Sequence, residues 1–161
     1  MLFSRRLFIP GLVLCLASCG FTPVYGPNGA GTALQNQITV NEPQDRDDYW
    51  FTQRFEERMG RSANAKYDLV YNISTVEQGI AVNQEGNIER YDVLGRATYE
   101  LRDAATDAVV SSGDVESFTG YSATGTSVAS LAAERDARER LMIILADLVV
   151  TRLQATFKPA S

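Results

Sequence analysis

The residues best suited to covalent chemistry are a cysteine and the three residues before it, Leu16-Ala17-Ser18-Cys19. Small side chains at Ala17 and Ser18 allow the backbone to lie in a protease site, and the Cys19 thiol can be acylated with diacylglycerol. A bacterial lipoprotein signal peptidase requires residues of these types. We therefore predict cleavage after Ser18 and a covalent lipid on Cys19, which leaves a mature chain of 143 residues (161 minus 18).

The segment before Cys19 has the three parts of a secretory signal. Arg5 and Arg6 form a basic start, residues 7–16 are mostly apolar, and small residues follow. The apolar run is well short of the roughly 20 residues that span a bilayer, so residues 1–18 are predicted to be a signal peptide. The alternative is a buried first helix of the domain. The two arginines fit Sec export, and their setting also resembles a twin-arginine signal.

Catalytic and metal-binding side chains are scarce. The chain has no histidine, which excludes Ser-His and Cys-His nucleophiles and imidazole metal sites. Cys15 leaves with the signal peptide, so the mature chain cannot form an internal disulfide. The adjacent acids Glu56 and Glu57 lie on a predicted helix and point in different directions. We predict no enzyme, no metal and no cofactor other than the lipid on Cys19.

The mature chain is acidic. Of its 15 basic residues, Arg5 and Arg6 lie in the leader, so 13 basic and 20 acidic residues remain and the formal charge is −7 (13 minus 20). An acidic surface repels phosphate backbones, and no run of Lys or Arg is present. The chain is therefore not expected to bind nucleic acid.

The mature chain divides into three parts. Residues 19–36 are rich in Gly and Pro and are predicted to form an irregular tether, which precedes a domain over 37–157 and a tail over 158–161. Periodicity and turn residues predict an α+β domain with the element order β-α-β-β-β-α and a sheet covered on one side. Gly113 is expected to mark a bulge or a bend in the last strand. The predicted strands are 37–40, 68–82, 90–102 and 108–121, and the predicted helices are 45–61 and 127–157.

The two predicted helices differ in their apolar surfaces. Asp47 is expected to cap the first helix, which carries one apolar stripe formed by Phe51, Phe55 and Met59. Ser127 is expected to cap the last helix, whose residues 141–150 are apolar on nearly all sides. A helix packed on one sheet needs only a stripe, so this segment needs a second neighbour, which is either the first helix or another protein. The last helix also has three opposite-charge pairs at i,i+4 spacing, Glu134/Arg138, Arg135/Glu139 and Asp136/Arg140.

Three arginines share the polar face of the third predicted strand. Arg90, Arg96 and Arg102 are separated by even numbers of residues, so their side chains point to the same side of the sheet. Guanidinium groups bind phosphate or carboxylate through two hydrogen bonds, which makes these residues the best candidates for a ligand contact. The alternative is that they pair with acids on the same strand or on the next, namely Asp92, Glu100, Asp114 and Glu116.

The element order and several short stretches resemble the lipopolysaccharide-assembly lipoprotein family LptE, in an alphaproteobacterial form. The stretches are residues 19–25 (CGFTPVY), 67–69 (YDL), 96–103 (RATYELRD) and 121–122 (YS). The resemblance implies a four-stranded, mainly antiparallel sheet with two helices packed on one face. It also implies an outer-membrane lipoprotein that plugs the LptD β-barrel, helps that barrel to assemble, and contacts lipopolysaccharide on its way to the cell surface.

The resemblance implies two kinds of binding site, one for lipopolysaccharide and one for the barrel. Lipopolysaccharide contact is assigned, on the chemistry of the guanidinium group, to Arg90, Arg96 and Arg102. Docking on the barrel is assigned to apolar residues of the tether and of the last helix, namely Phe21, Tyr25, Met142, Ile143, Val149 and Val150. Gly20 is compatible with transfer to the outer membrane, where the chain would be lipid-anchored and would face the periplasm and the barrel lumen.

Two other functions remain open from the sequence. A lipoprotein facing the periplasm could bind a small ligand or a cell-wall component in a pocket lined by Trp50, Tyr71 and Tyr99. An envelope hydrolase would need two carboxylates that converge in a cleft.

The role of Cys19 in membrane attachment can be tested by substitution. A Cys19→Ala variant lacks the only thiol that can be acylated in the mature chain, so it should be released from membranes. Fractionation of cells followed by immunoblotting would measure this loss. A variant that stayed in the outer-membrane fraction would show that a protein partner, and not the lipid, is the main anchor.

Overall fold

A computed structural model describes residues 24–26 and 29–158 of the chain. The predicted signal peptide, Cys19 and Phe21 lie outside the described residues. Within the described part, no helix is both long enough and apolar enough to cross a membrane.

The domain consists of one sheet and three helices. The sheet has the strand order β1-β2-β3-β4, in which β1 and β2 are parallel and the other two neighbouring pairs are antiparallel. This confirms the predicted α+β class and the mainly antiparallel sheet. A short helix precedes the predicted elements. The elements are α1 (Ala30–Leu34), β1 (Ile38–Val40), α2 (Arg46–Met59), β2 (Tyr67–Val82), β3 (Ile88–Asp103), β4 (Val109–Ser122) and α3 (Ser127–Thr156).

Helix α1 lies inside the segment that was expected to be an irregular tether. The Gly31 backbone N–H donates to the Val24 carbonyl oxygen at 2.9 Å, and Leu34 is fully buried in the core. A Cβ atom at Gly31 would lie 2.9 Å from that same oxygen, so the glycine permits a close backbone approach. Gly31 therefore allows helix α1 to pack closely against the preceding backbone, and residues 30–34 belong to the domain.

Strand β3 shows why the sheet has one buried face. The odd-numbered residues from Val93 to Leu101 point to the inner face and are buried, whereas the even-numbered residues between them point to the outer face and are exposed or half-buried. Helices α2 and α3 cover this inner face, as the contact between the rings of Phe51 and Tyr71 illustrates, with centroids 4.5 Å apart. The predicted alternation of β3 is thus confirmed.

Helix α2 is capped by a different residue from the one expected. The Asp45 side chain accepts a hydrogen bond from the Asp48 backbone N–H at 2.8 Å, so Asp45 is the N-cap. Asp47 lies in the first turn of the helix and pairs instead with Arg138, with 3.3 Å between Nη1 and Oδ2. The predicted apolar stripe is confirmed, because Phe51, Phe55 and Met59 are buried.

Helix α3 also begins with a different cap. The Thr126 side chain, and not that of Ser127, accepts a hydrogen bond from the Ala129 backbone N–H at 3.2 Å. The Glu134/Arg138 and Asp136/Arg140 pairs form, whereas no ion pair joins Arg135 to Glu139 in the described part of the chain.

Gly113 does not mark a bulge. It lies directly opposite Tyr99 in a regular part of the β3–β4 ladder, and the register shift falls between Leu101 and Arg102. A Cβ atom at Gly113 would lie 2.9 Å from the Tyr99 hydroxyl, so the glycine makes room for the buried tyrosine ring. The bulge lies near the start of β4, where Val110 is the extra residue between the partners Val109 and Ser111.

The second neighbour of the apolar part of α3 is helix α2. Asp147, the one charge in that part, accepts hydrogen bonds from Arg54 at 3.0 Å through two nitrogens and from Arg58 at 2.7 Å. Hydrogen bonding to Asp147 raises the pKa of Arg54. Near the other end of α2, Arg138 of α3 donates to Asp47, so the two helices run side by side in the same direction.

The carboxylate of Asp147, held by Arg54 and Arg58, forms a clamp between α2 and α3 whose contribution to stability can be tested. Replacing Asp147 by Asn removes the charge shared by Arg54 and Arg58, and we expect the free energy of unfolding to fall by about 1–2 kcal/mol. Asp136→Asn is the control, since Asp136 forms one exposed ion pair with Arg140, and it should change stability by less than about 0.5 kcal/mol. Urea unfolding would measure both changes. Equal effects of the two variants would contradict a clamp at Asp147.

Candidate functional site

The outer face of the sheet is the surface on which the arginines lie. No helix covers it in the described part of the chain, so polar side chains along the middle strand β3 are open to solvent. Two of the three arginines form ion pairs there. Arg96 pairs with Glu116 and, at 3.3 Å, with Asp114.

Arg102 is likewise held by acids. Its guanidinium lies 2.7 Å from the Glu100 carboxylate and 3.1 Å from that of Asp107. Hydrogen bonds that Arg102 donates to Glu100 and Asp107 raise the pKa of Arg102. For Arg96 and Arg102 the structure therefore favours the alternative prediction, in which acids on the same strand or nearby satisfy them.

Arg90 differs from the other two arginines. It is exposed, it lies opposite Ser122, and no carboxylate of residues 24–26 or 29–158 forms an ion pair with it. Each arginine lies six positions from the next, which is about 20 Å along a strand. The structure therefore does not bring the three arginines together into one site.

An apolar row that local sequence patterns do not predict crosses the same outer face. Val76 of β2, Leu94 of β3 and Phe118 of β4 are direct neighbours in the strand register and are 66%, 41% and 65% exposed. They line a shallow hollow of about 420 Å³ together with Arg96. In the sequence, the only sign of this row is Leu94, an apolar residue on the otherwise polar face of β3. The row itself can be recognised only when the register of three strands is known.

Most of the predicted docking residues of α3 are not on the surface. Met142, Val149 and Val150 are fully buried in the core, so they cannot contact a partner in this conformation. The prediction was wrong for these three residues because α2 and the sheet together cover the segment. Ile143 is only partly buried.

The tether residue Tyr25 remains a candidate contact. It is 59% exposed, and its hydroxyl accepts a hydrogen bond from Gln154 Nε2 at 2.8 Å. This bond attaches the start of the described chain to the C-terminal part of α3. Phe21, the other predicted tether contact, lies outside the described residues.

The aromatic pocket proposed as an alternative does not form from the expected residues. Tyr71 packs on Phe51 and shares a hydrogen bond with Thr52 at 3.0 Å, and Tyr99 is buried. Burial raises the pKa of both tyrosines, as expected for groups within a core. Trp50 lines a separate hollow with Tyr49. The three aromatic residues therefore do not line one cavity.

Glu56 and Glu57 share a cleft of about 510 Å³ on the outer side of α2, but both carboxylates are occupied. Arg61 pairs with Glu56 at 2.6 Å, and Arg54 pairs with Glu57 at 3.4 Å. The described residues also contain no group of three acids or cysteines that could hold a metal ion. This cleft does not have the pair of free carboxylates that a hydrolase would need.

Comparison with known families decides between the remaining functions. The family model LptE, described as lipopolysaccharide-assembly, matches residues 32–153, which is more than half of the chain. The chain belongs to the LptE family. The match confirms the predicted resemblance, and it begins after the Cys19–Tyr25 stretch that was part of that resemblance.

Several solved structures share the fold of this LptE-family chain. A lipoprotein from Caulobacter crescentus CB15 is 19% identical, with a TM-score of 0.65 and coverage of 78% of this chain and 93% of that one. Rare lipoprotein B from Shewanella oneidensis is 13% identical, with a TM-score of 0.58 and coverage of 76% and 95%. A minor lipoprotein from Acinetobacter baumannii is 12% identical, with a TM-score of 0.58 and coverage of 80% and 98%. At these identities the similarity establishes the fold alone. No curated protein sequence matches the chain.

Membership of the LptE family assigns the chain to lipopolysaccharide assembly. It does not assign individual contact residues. Among the predicted site residues, the structure leaves Arg90, Ile143 and Tyr25 at least partly accessible, and it adds the apolar row of Val76, Leu94 and Phe118.

Proposed function

We propose that this LptE-family chain is the plug and assembly partner of an LptD-type β-barrel, and that it serves lipopolysaccharide transport to the cell surface. The observation that carries the proposal is the family match over residues 32–153. In this proposal the chain is anchored in the outer membrane through Cys19 and faces the periplasm and the barrel lumen. It acts as a binding protein and performs no catalysis.

The outer face of the sheet supports a plug role. A plug in a water-filled lumen needs a largely polar surface with limited apolar contact to the wall. Arg96 and its acidic partners are about half exposed, which suits a wet lumen, and the row of Val76, Leu94 and Phe118 supplies one compact apolar contact. We propose that this row docks on the barrel wall, because an uncovered sheet packs face to face with another sheet.

The position of Tyr25 supports an orientation within that complex. Four residues separate Cys19 from Val24, so the lipid can lie at most about 17 Å from Val24. Tyr25 contacts Gln154, at the same end of the domain as the ring contact between Tyr67 and Phe157. The turn that joins strands β2 and β3 then lies about 50 Å from the anchored end of the domain. The hairpin is therefore expected to reach deep into the barrel.

Co-purification after detergent extraction tests the plug role. The wild-type chain should be recovered in a stable complex with a large β-barrel protein, and Phe118→Lys should reduce that recovery several-fold because it places a charge in the docking row. Val128→Lys is the matched control, since Val128 is 79% exposed on α3 and lies outside the row. Recovery of the wild-type chain without a barrel, from cells that make the barrel, would refute the proposal.

Lipopolysaccharide contact generates a separate prediction. Arg90 is exposed and forms no ion pair within the described residues, whereas Arg96 is already paired with two acids. Arg90→Glu should therefore weaken binding of purified lipopolysaccharide about five-fold, roughly the effect of 1 kcal/mol, and Arg96→Glu should weaken it less. Titration of the purified variants would compare them. An equal loss of lipopolysaccharide affinity in both variants would contradict the prediction that Arg90 contributes more than Arg96.

A further inference from the structure

Strand β4 is a long, unprotected edge of the sheet. It spans 14 residues, and β3 is its only hydrogen-bonded neighbour among the strands of the described chain. From Ser111 to Ser122 it pairs with β3 without a bulge, and it contains no proline and no lysine. Proteins usually block exposed edges with such devices, because unpaired N–H and C=O groups can pair with another strand.

The structure indicates which backbone groups of β4 point outward. Arg140 donates to the Gly120 carbonyl oxygen at 3.2 Å, so this carbonyl is directed away from β3. Along an antiparallel strand, the N–H and C=O groups of successive residues point to alternate sides. Those of Phe118, Glu116 and Asp114 therefore point away from β3, as those of Gly120 do. This part of the edge is a row of outward backbone donors and acceptors.

A groove runs beside the same part of the edge. It lies between β4 and the second half of α3 and has a volume of about 420 Å³. Leu148 on its helical wall is 36% exposed, and Val115 points toward it from the inner face of β4. The groove can therefore receive apolar side chains that point to the inner face of an added strand. Its lining residues are Asp114, Val115, Glu116, Leu148, Thr151, Arg152 and Ala155.

The charge of the edge limits what can bind there. On the outer side of the strand, Asp114 and Glu116 share a single arginine, Arg96, so a net negative charge remains there. Arg152, the other charged residue of the groove, belongs to its helical wall. A second copy of this chain, paired antiparallel at this point, would place the acids of the two copies beside each other, and like charges on neighbouring strands are destabilising. A strand with basic residues on that side is favoured.

We propose that the edge of β4 from Ser112 to Phe118 binds an extended segment of a partner protein by β-strand addition. The segment alternates apolar side chains, which enter the groove beside Leu148, with basic side chains, which lie beside Asp114 and Glu116. Main-chain hydrogen bonds supply affinity, and the alternating side chains supply specificity. This proposal goes beyond the plug role and does not depend on it.

The test uses the mature lipidated chain in detergent micelles and two nine-residue peptides, one alternating valine with lysine and the other valine with glutamate. The lysine peptide should slow hydrogen exchange at the backbone amides of Asp114, Glu116 and Phe118 at least tenfold, as measured by NMR. The glutamate peptide at the same concentration should leave those rates unchanged. A lysine peptide without effect on these amides, or equal protection by both peptides, would overturn the proposal.

Two lysine substitutions on α3 locate the effect. Leu148→Lys fills the groove with a charge and should weaken the lysine peptide about tenfold or more. Val128→Lys adds the same charge at the other end of α3 and should leave binding unchanged. Equal weakening by both variants would indicate non-specific charge repulsion and overturn the proposal. So would slow exchange at these amides through self-association without peptide, detected by sedimentation.

Discussion

The packing of α3 between α2 and the sheet is the constraint on which the rest of the structure depends. Its segment 141–150 is apolar on nearly all sides and must be covered by more than the sheet. Helix α2 supplies the second surface, and Arg54 and Arg58 hold it in register by sharing the carboxylate of Asp147. Because α2 and the sheet are both needed to bury α3, the two helices lie side by side on one face of the sheet.

The other face is therefore left to solvent and to partners. It carries paired ions around Arg96, one apolar row, and, at its border, the open edge of β4. Each of these features suits binding and none suits catalysis. The lipopolysaccharide-assembly family to which the chain belongs is consistent with such a surface.

Much of the fold could be predicted from local patterns, because each pattern reports a local physical requirement. Alternation in β3 predicts its buried face, and the spacing of Phe51, Phe55 and Met59 predicts the stripe of α2. Local patterns do not determine the cap of α2, because Asp45 and Asp47 are both suitable acids near the helix start. Only the backbone geometry shows that Asp45 accepts the hydrogen bond. Helix α1 was missed because glycines that allow close packing resemble glycines of an irregular tether.

By itself, the sequence determined the secondary structure pattern, the inner and outer faces of the strands, the absence of histidine chemistry and the resemblance to the LptE family. Only the tertiary structure decided which exposed or apolar residues meet. It buried Met142, Val149 and Val150, neutralised Arg96 and Arg102, and aligned Val76, Leu94 and Phe118 in one row. The reason is physical: periodicity is a property of one segment, whereas burial, ion pairing and strand register depend on contacts between segments far apart in the chain.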